Sequence, residues 1–305
     1  MTLRCLQPGD RVGVIAPAGP AAPERIALVE PLFARFGLRA KLYPSCHASH
    51  PAYDFLAGDD ALRLADVHAA FADAGNAAVF ALRGGWGSAR LLPRVDAALL
   101  RASPKPFVGY SDLTALHALL VREGLPCFHG PMPASDLVQE GADDDARALF
   151  ATLMQPLSVG QVFAPPLLPG HWHVPGRARG ALVGGNLSIV ASLLGTPWAL
   201  PVQGAILFLE DVSEALYRVD RLLVQLRHAG VLDAVAGIVL GSFTEDDDPT
   251  TVLREHLAAL GKPVLAGWPA GHGRPNRALP LGVRVALDAT AGTLTLLEPV
   301  TELRP

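Results

Sequence analysis

Cysteine is scarce in this chain: among 305 residues it occurs only at Cys5, Cys46 and Cys127. Three widely spaced cysteines exclude a disulfide framework and a C-x-x-C metal or redox motif, and they read as free thiols in a reducing compartment. A surplus of positive charge is also missing. With 25 Lys and Arg against 29 Asp and Glu, the formal net charge is -4. The chain therefore lacks the basic footprint of a nucleic-acid binder or of a protein held on anionic membranes. Residues 1–10 contain no apolar run of the kind a secretory signal needs. The longest uncharged stretch, Gly180 to Leu209, is interrupted by Gly184-Gly185-Asn186, Gly195-Thr196-Pro197 and Pro201, which excludes a single spanning helix. A soluble cytoplasmic protein is the expectation.

Phosphate-binding loops are missing as well. Arg83-Gly84-Gly85-Trp86-Gly87-Ser88 is rich in glycine, but its spacing is not G-x-G-x-x-G and no Lys-Ser or Lys-Thr follows. His171 and His173 alternate as a strand would place them and could share a metal. Without a neighbouring carboxylate or cysteine cluster they read as surface or interface histidines. Neither cofactor nor metal is expected.

What the chain does have is apolar mass: half of its residues are hydrophobic, enough for large cores and two domains. Arg11 to Ala16, Arg39 to Tyr43, Ala77 to Leu82 and Phe107 to Tyr110 read as strands. Helices are expected over Pro23 to Phe36, over Asp59 to Ala74 and from Leu113 onward. Strands alternating with helices predict a parallel sheet covered on both faces, and such sheets bind ligands at the carboxyl ends of their strands. That edge would carry the Pro17 loop, the Gly84 loop and Ser111. After a polar helix from Asp143 to Met154, the dense proline and glycine of residues 165–176 mark a crossover. The boundaries read as 1–135, a linker 136–179, and 180–305. In the last part, helices are expected at Leu187 to Leu194, Val212 to Gly230 and Thr250 to Leu260. Strands are expected at Ala205 to Leu209, Ala236 to Phe243 and Pro263 to Trp268, with a hairpin of Val283 to Asp288 and Thr293 to Glu298. An acidic loop spans Glu245 to Asp248.

The chemistry centres on Gly109-Tyr110-Ser111-Asp112-Leu113. The apolar run ending at Tyr110 suits a buried strand, and Leu113, Leu116, Leu119 and Leu120 follow at helical spacing, so Ser111 stands at the corner. A serine there projects its oxygen from the sheet end, where helical N–H groups and the helix dipole would stabilise an oxyanion. The motif lacks the second glycine of G-x-S-x-G, and an N-cap is the plainer reading. The Gly84 loop reads as an oxyanion donor or as a tight turn. A serine nucleophile needs a base, and the base needs a carboxylate. His129 and His272 both follow expected strands, whereas His68, His117, His228 and His256 lie in expected helices and read as solvated or partly packed. His129 precedes Gly130-Pro131, a rigid turn suited to a wall. Glu210, Asp211 and Glu214 compete for the carboxylate. The residues alone leave these choices open.

The chain resembles the LD-carboxypeptidase family of serine peptidases, which includes muramoyltetrapeptide carboxypeptidases and microcin C immunity hydrolases. The segments that carry the resemblance are residues 9–17 (GDRVGVIAP), 83–87 (RGGWG), 109–112 (GYSD), 129–132 (HGPM), 184–187 (GGNL), 209–212 (LEDV) and 271–273 (GHG), in the family's order along nearly the whole chain. The resemblance implies a Ser-Glu-His triad at Ser111, Glu210 and His272. It also implies an oxyanion hole from the backbone N–H groups of Asp112 and one glycine of the Gly84-Gly85 pair, assigned to Gly85. Trp86 stands where the family often carries tyrosine. The implied fold is α/β, an N-terminal Rossmann-like parallel-sheet domain plus a smaller C-terminal α/β domain with β-barrel character, with the site between them. The implied activity is hydrolysis of the L-D amide of murein tetrapeptide, with release of terminal D-alanine in peptidoglycan recycling, by a homodimer that takes a small peptide rather than nucleic acid or membrane. Two alternatives stand beside it: a same-triad hydrolase of a peptidyl-nucleotide antibiotic, and a non-catalytic ligand-binding module.

Overall fold

The computed structural model describes residues 1–244 and 248–303. Most of the acidic loop expected at 245–248 therefore lies outside the described residues. Asp248 is described, and it accepts from the backbone N–H of Thr250 at 2.9 Å. Among the described residues no helix is long and apolar enough to cross a membrane.

The architecture is mixed α/β, built on two main sheets. In the first, five parallel strands lie in the order Arg39–Leu42, Arg11–Ile15, Asn76–Ala81, Phe107–Gly109 and Cys127–His129. Each central strand is a run of buried apolar residues, as a sheet covered on both faces demands. A sixth strand, Leu279–Leu281, returns from far along the chain and pairs antiparallel with Cys127–His129. It carries Pro280, which a sheet edge tolerates because the missing N–H is not required there. The second sheet has eight strands and is curled into half a barrel. Its centre is parallel: Arg177–Asn186, Ile206–Val212, Gly237–Thr244 and Val264–Ala266. The expected terminal hairpin is present as Val283–Asp288 against Thr293–Leu296. A two-stranded parallel pair, Leu3–Arg4 with Thr301–Glu302, brings the two ends of the chain side by side.

Three expectations change, each for a physical reason. The helix expected over 23–36 is two helices, Pro23–Ile26 and Val29–Ala34. One continuous helix would need an N–H at Pro31, whereas the break places Pro31 in the first turn of the second helix, where no donor is needed. The helix expected from Val212 begins at Leu216, because the strand before it continues through the buried Glu210 and Asp211 to Val212. The strand Arg177–Asn186 was not anticipated, since its glycines carry poor strand propensity. Those glycines are steric requirements. Gly184 has φ +135°, and a Cβ there would lie 1.9 Å from the Phe208 carbonyl oxygen of the neighbouring strand.

Gly184→Ala should therefore cost more than about 3 kcal/mol, combining backbone strain with a backbone clash. Gly195, at φ +76° with nothing within 4 Å of a built Cβ, is the control, and Gly195→Ala should cost only about 1–2 kcal/mol. Denaturant titration of both variants checks the contrast, and equal costs would show that the Phe208 carbonyl yields.

Candidate active site

The carboxyl end of strand Arg177–Asn186 meets that of strand Phe107–Gly109, the Asn186 N–H donating to Thr114 Oγ1 at 3.0 Å, and Ser111, Gly84, Asp112, Glu210 and His272 lie around this junction. Ser111 opens a short 3-10 turn, Ser111–Leu113, that leads from the Phe107–Gly109 strand into the helix Thr114–Arg122. Its φ is +63°, a left-handed conformation that costs a non-glycine residue about 1–2 kcal/mol. The helical caps here are Tyr110 and Leu113, so the N-cap reading of Ser111 does not hold. Gly84 comes so close that a Cβ on it would lie 3.0 Å from Ser111 Oγ. Only glycine fits beside this serine.

Buried polar side chains hold the glycine loop against this corner. The Asp112 carboxylate accepts from the Ser88 N–H at 2.8 Å, and the Asp112 carbonyl accepts from Ser88 Oγ at 2.6 Å. Burial raises the Asp112 carboxyl above its ordinary range, against the hydrogen bonds from Ser88 that lower it. Arg63, fully buried, donates from one nitrogen to the carbonyls of Pro17 at 2.5 Å and Gly87 at 2.9 Å, and from the other to Asp60. The three loops at the sheet edge are thus fastened to one another. The Gly84 carbonyl accepts from the Gly19 N–H at 3.1 Å. In a trans peptide the Gly85 N–H then points the opposite way, away from the Pro17 loop. Arg63 and the Ser88–Asp112 clamp escaped the sequence reading. One signal was available, because Arg63 stands at i−4 and i−7 from the buried Val67 and Ala70, on the inward face of its helix.

Glu210 and His272 are brought together. Glu210 Oε2 lies 2.7 Å from His272 Nδ1 and also accepts from the His272 backbone N–H at 3.2 Å. The carboxylate is fully buried, while the imidazole keeps 17% of its side-chain surface exposed. Burial alone would lower the His272 pKa, but the Glu210 charge and hydrogen bond outweigh it and the pKa is raised. The ring packs against Tyr110, the neighbour of Ser111, with centroids 4.8 Å apart. With Nδ1 committed to Glu210, Nε2 is the ring nitrogen left for proton transfer. Asp211 and Glu214 have other work. Asp211 receives Asn186 Nδ2 at 2.7 Å and Ser188 Oγ at 2.8 Å, and burial pushes its carboxyl up to about 6. Glu214 accepts from Ser188 Oγ at 3.0 Å.

His129 is not in a loop. It ends the Cys127–His129 strand, fully buried between Tyr110 and Phe208, with ring centroids 5.5 and 4.8 Å away. His117, expected to be solvated or partly packed, is fully buried too, 6.4 Å from His129. Among the described residues neither ring has a hydrogen-bond partner. Burial holds His117 down to about 3 and His129 well below its ordinary value, so both are neutral. His171 and His173 are exposed on either side of the buried Trp172, far from any such setting.

A cavity of about 510 Å³ opens beside His272 and Tyr110. Its wall includes Arg25, Arg83, Arg274 and Asp136. The Asp136 carboxylate is engaged by Tyr110 Oη, the Met132 N–H and Ser135 Oγ, each at 2.8 Å. A strained serine, a buried histidine–carboxylate pair and an adjoining cationic cavity can support acyl transfer from a small anionic substrate.

Residues 12–130 match the LD-carboxypeptidase N-terminal domain, and residues 179–287 match the LD-carboxypeptidase C-terminal domain. The probable murein peptide carboxypeptidase of Bacillus subtilis is 36% identical over 308 residues, covering 98% of this chain and 95% of the relative. The murein tetrapeptide carboxypeptidase of Pseudomonas aeruginosa is 35% identical, covering 92% of this chain and 94% of the relative. Among solved structures, the microcin C7 self-immunity protein MccF in its apo state superposes with a TM-score of 0.91 at 25% identity, covering 99% of this chain and 100% of MccF.

The buried histidines behind the site generate a pH dependence of stability. His117 titrates near 6.5 when unfolded and about 3 when folded, so its contribution is complete above pH 6.5 and is lost as pH falls toward 3. In that window each such histidine adds a slope of about 1.4 kcal/mol per pH unit. His117→Leu should flatten the slope by that amount, measured by denaturant midpoints at neutral and mildly acidic pH. A slope equal to that of the parent protein would mean that the ring takes up its proton without unfolding.

Proposed function

The chain belongs to the LD-carboxypeptidase family, and from that premise we propose that it is a serine hydrolase that removes the terminal D-alanine of murein tetrapeptide through Ser111, His272 and Glu210. The observation that carries the proposal is the 2.7 Å contact of the buried Glu210 with His272, whose ring lies on Tyr110 beside the strained Ser111. The proposal divides the work between an N-terminal nucleophile domain, residues 1–135, and a C-terminal domain, residues 180–305, that carries the base and its carboxylate. Residues 136–179 form the crossover. The family resemblance and the buried, free Cys5, Cys46 and Cys127 support a homodimer acting in the cytoplasm on recycled cell-wall peptide.

In the proposed reaction His272 Nε2 takes the proton of Ser111 Oγ as the oxygen attacks the carbonyl between the L-centre and the terminal D-residue. Glu210 holds the tautomer with the proton on Nδ1 and stabilises the imidazolium that forms. The oxyanion is received by the backbone N–H groups of Asp112 and Gly85, which the Ser88–Asp112 clamp holds in register. His272 then protonates the departing amine of D-alanine. Water, activated by the same histidine, hydrolyses the Ser111 ester. A second reading keeps these residues and changes the acyl donor to a peptidyl-nucleotide antibiotic; the close superposition with MccF supports it.

D-alanine release from murein tetrapeptide is the direct test. Ser111→Ala should lower turnover on the order of 10⁴–10⁶-fold with the fold intact, as removal of a serine nucleophile does elsewhere. Ser111→Gly should be similarly inactive yet more stable than the parent by about 1 kcal/mol, because glycine adopts φ +63° freely. Retention of a tenth of the activity in either variant would remove Ser111 from the nucleophile's role.

The raised His272 pKa sets the acid limb. The base works deprotonated, so kcat/KM should fall as pH drops through a midpoint above 6.5. Glu210→Gln removes the charge that raises the pKa and leaves the burial that lowers it. The residual activity should be lower by about 10⁴-fold, with its acid limb shifted to lower pH. A limb that stays in place in Glu210→Gln would show that another group sets it.

A further inference from the structure

A carboxypeptidase acts only at a chain end, so something beside the nucleophile must recognise a free carboxylate. We propose that Arg83 is this group and that it makes the enzyme an exopeptidase; the inference rests on the reading of Ser111 as the nucleophile of a peptide hydrolase.

Three cations line the cavity beside His272: Arg25, Arg83 and Arg274. Arg274 is exposed, and both of its terminal nitrogens are spent, one on the Glu140 carbonyl at 2.8 Å and the other on Gln139 Oε1 at 2.6 Å. Arg25 is exposed and directs one nitrogen at the carbonyls of Ala134 and Ser135, at 3.3 and 3.4 Å. Arg83 is half-buried, and one Nη donates to the Pro20 carbonyl at 2.8 Å. That neutral partner orients the guanidinium without offsetting its charge. Among the described residues no carboxylate forms an ion pair with it.

Position along the chain agrees. Arg83 directly precedes Gly84, whose built Cβ would lie 3.0 Å from Ser111 Oγ. Consecutive Cα atoms are about 3.8 Å apart. In a C-terminal residue the carboxylate carbon is two bonds from the scissile nitrogen, so its partner must stand within about one residue of the nucleophile. A planar guanidinium oriented on one side offers paired N–H groups that match the two oxygens of a carboxylate. Asp136, an acidic residue of the cavity wall, already has its oxygens engaged by three donors.

The test compares murein tetrapeptide with the same peptide amidated at its C-terminus, in each protein separately. The ratio of the two kcat/KM values is internal to a variant, so partial loss of folding or of the glycine loop cancels. The parent should prefer the acid by about 10²–10³-fold, as expected for a desolvated charge pair. Arg83→Gln should bring the ratio to within about fivefold of unity, the loss falling on the acid mainly through KM, and Arg83→Lys should recover part of it. An undiminished ratio in Arg83→Gln overturns the inference, and its collapse in Arg25→Gln or Arg274→Gln would transfer the role. Failure of the parent to cleave either peptide would overturn the murein reading and this inference together.

Discussion

A buried carboxylate whose one ion-pair partner among the described residues is His272, in the loop that runs from the second sheet to the first, is the constraint around which this molecule is arranged. Glu210 lies within a strand of the second sheet, wholly removed from water, and its charge is tolerable there because His272 supplies both a ring nitrogen and a backbone N–H to one oxygen. His272 in turn needs its loop fixed. Ser242 Oγ accepts from the Gly273 N–H at 2.8 Å, and Asn276 Oδ1 accepts from the Gly271 N–H at 3.1 Å. Asn276 is itself held through its N–H by Asp145 on a helix that follows the first sheet. The loop that carries His272 is therefore also a fastening, through Asn276, between the second sheet and the helix Asp143–Met154.

Much of this was legible in the residues. Strands and helices alternate where apolar runs alternate with helical spacing, and the helix Asp143–Met154 has the bounds its pattern suggested. The choice between Glu210 and Asp211 was not legible, and the reason is geometric. Adjacent residues in a strand face opposite sides of a sheet. One of the two must meet His272 while the other meets Asn186 and Ser188, and which does so depends on the register of a strand whose end the sequence did not mark. His129 was expected in a loop just after a strand. The turn at Gly130-Pro131 begins one residue later, and the ring ends the strand among aromatic rings as a neutral, apolar-facing group.

Strain and rigidity are concentrated at the same corner. A left-handed serine persists only where its surroundings over-determine it. Here the close approach of Gly84, the Ser88–Asp112 clamp and the buried Arg63 supply that determination. Arg63 shows how a charged side chain can serve a core. It spends its donors on loop carbonyls that would otherwise face an apolar interior without partners.

The return of Leu279–Leu281 to the edge of the first sheet has a consequence for biosynthesis. The strand Cys127–His129 emerges from the ribosome some 150 residues before the segment that covers it. At 5–20 residues per second its open edge waits roughly 10–30 s for a partner. During that interval the nascent chain carries an unpaired strand, the kind of edge that recruits other strands. His272, seven residues before Leu279, arrives in the same interval. A chain stalled or truncated before this point would display the serine corner without His272, so under the proposed mechanism it would stay inert until its sheet can close.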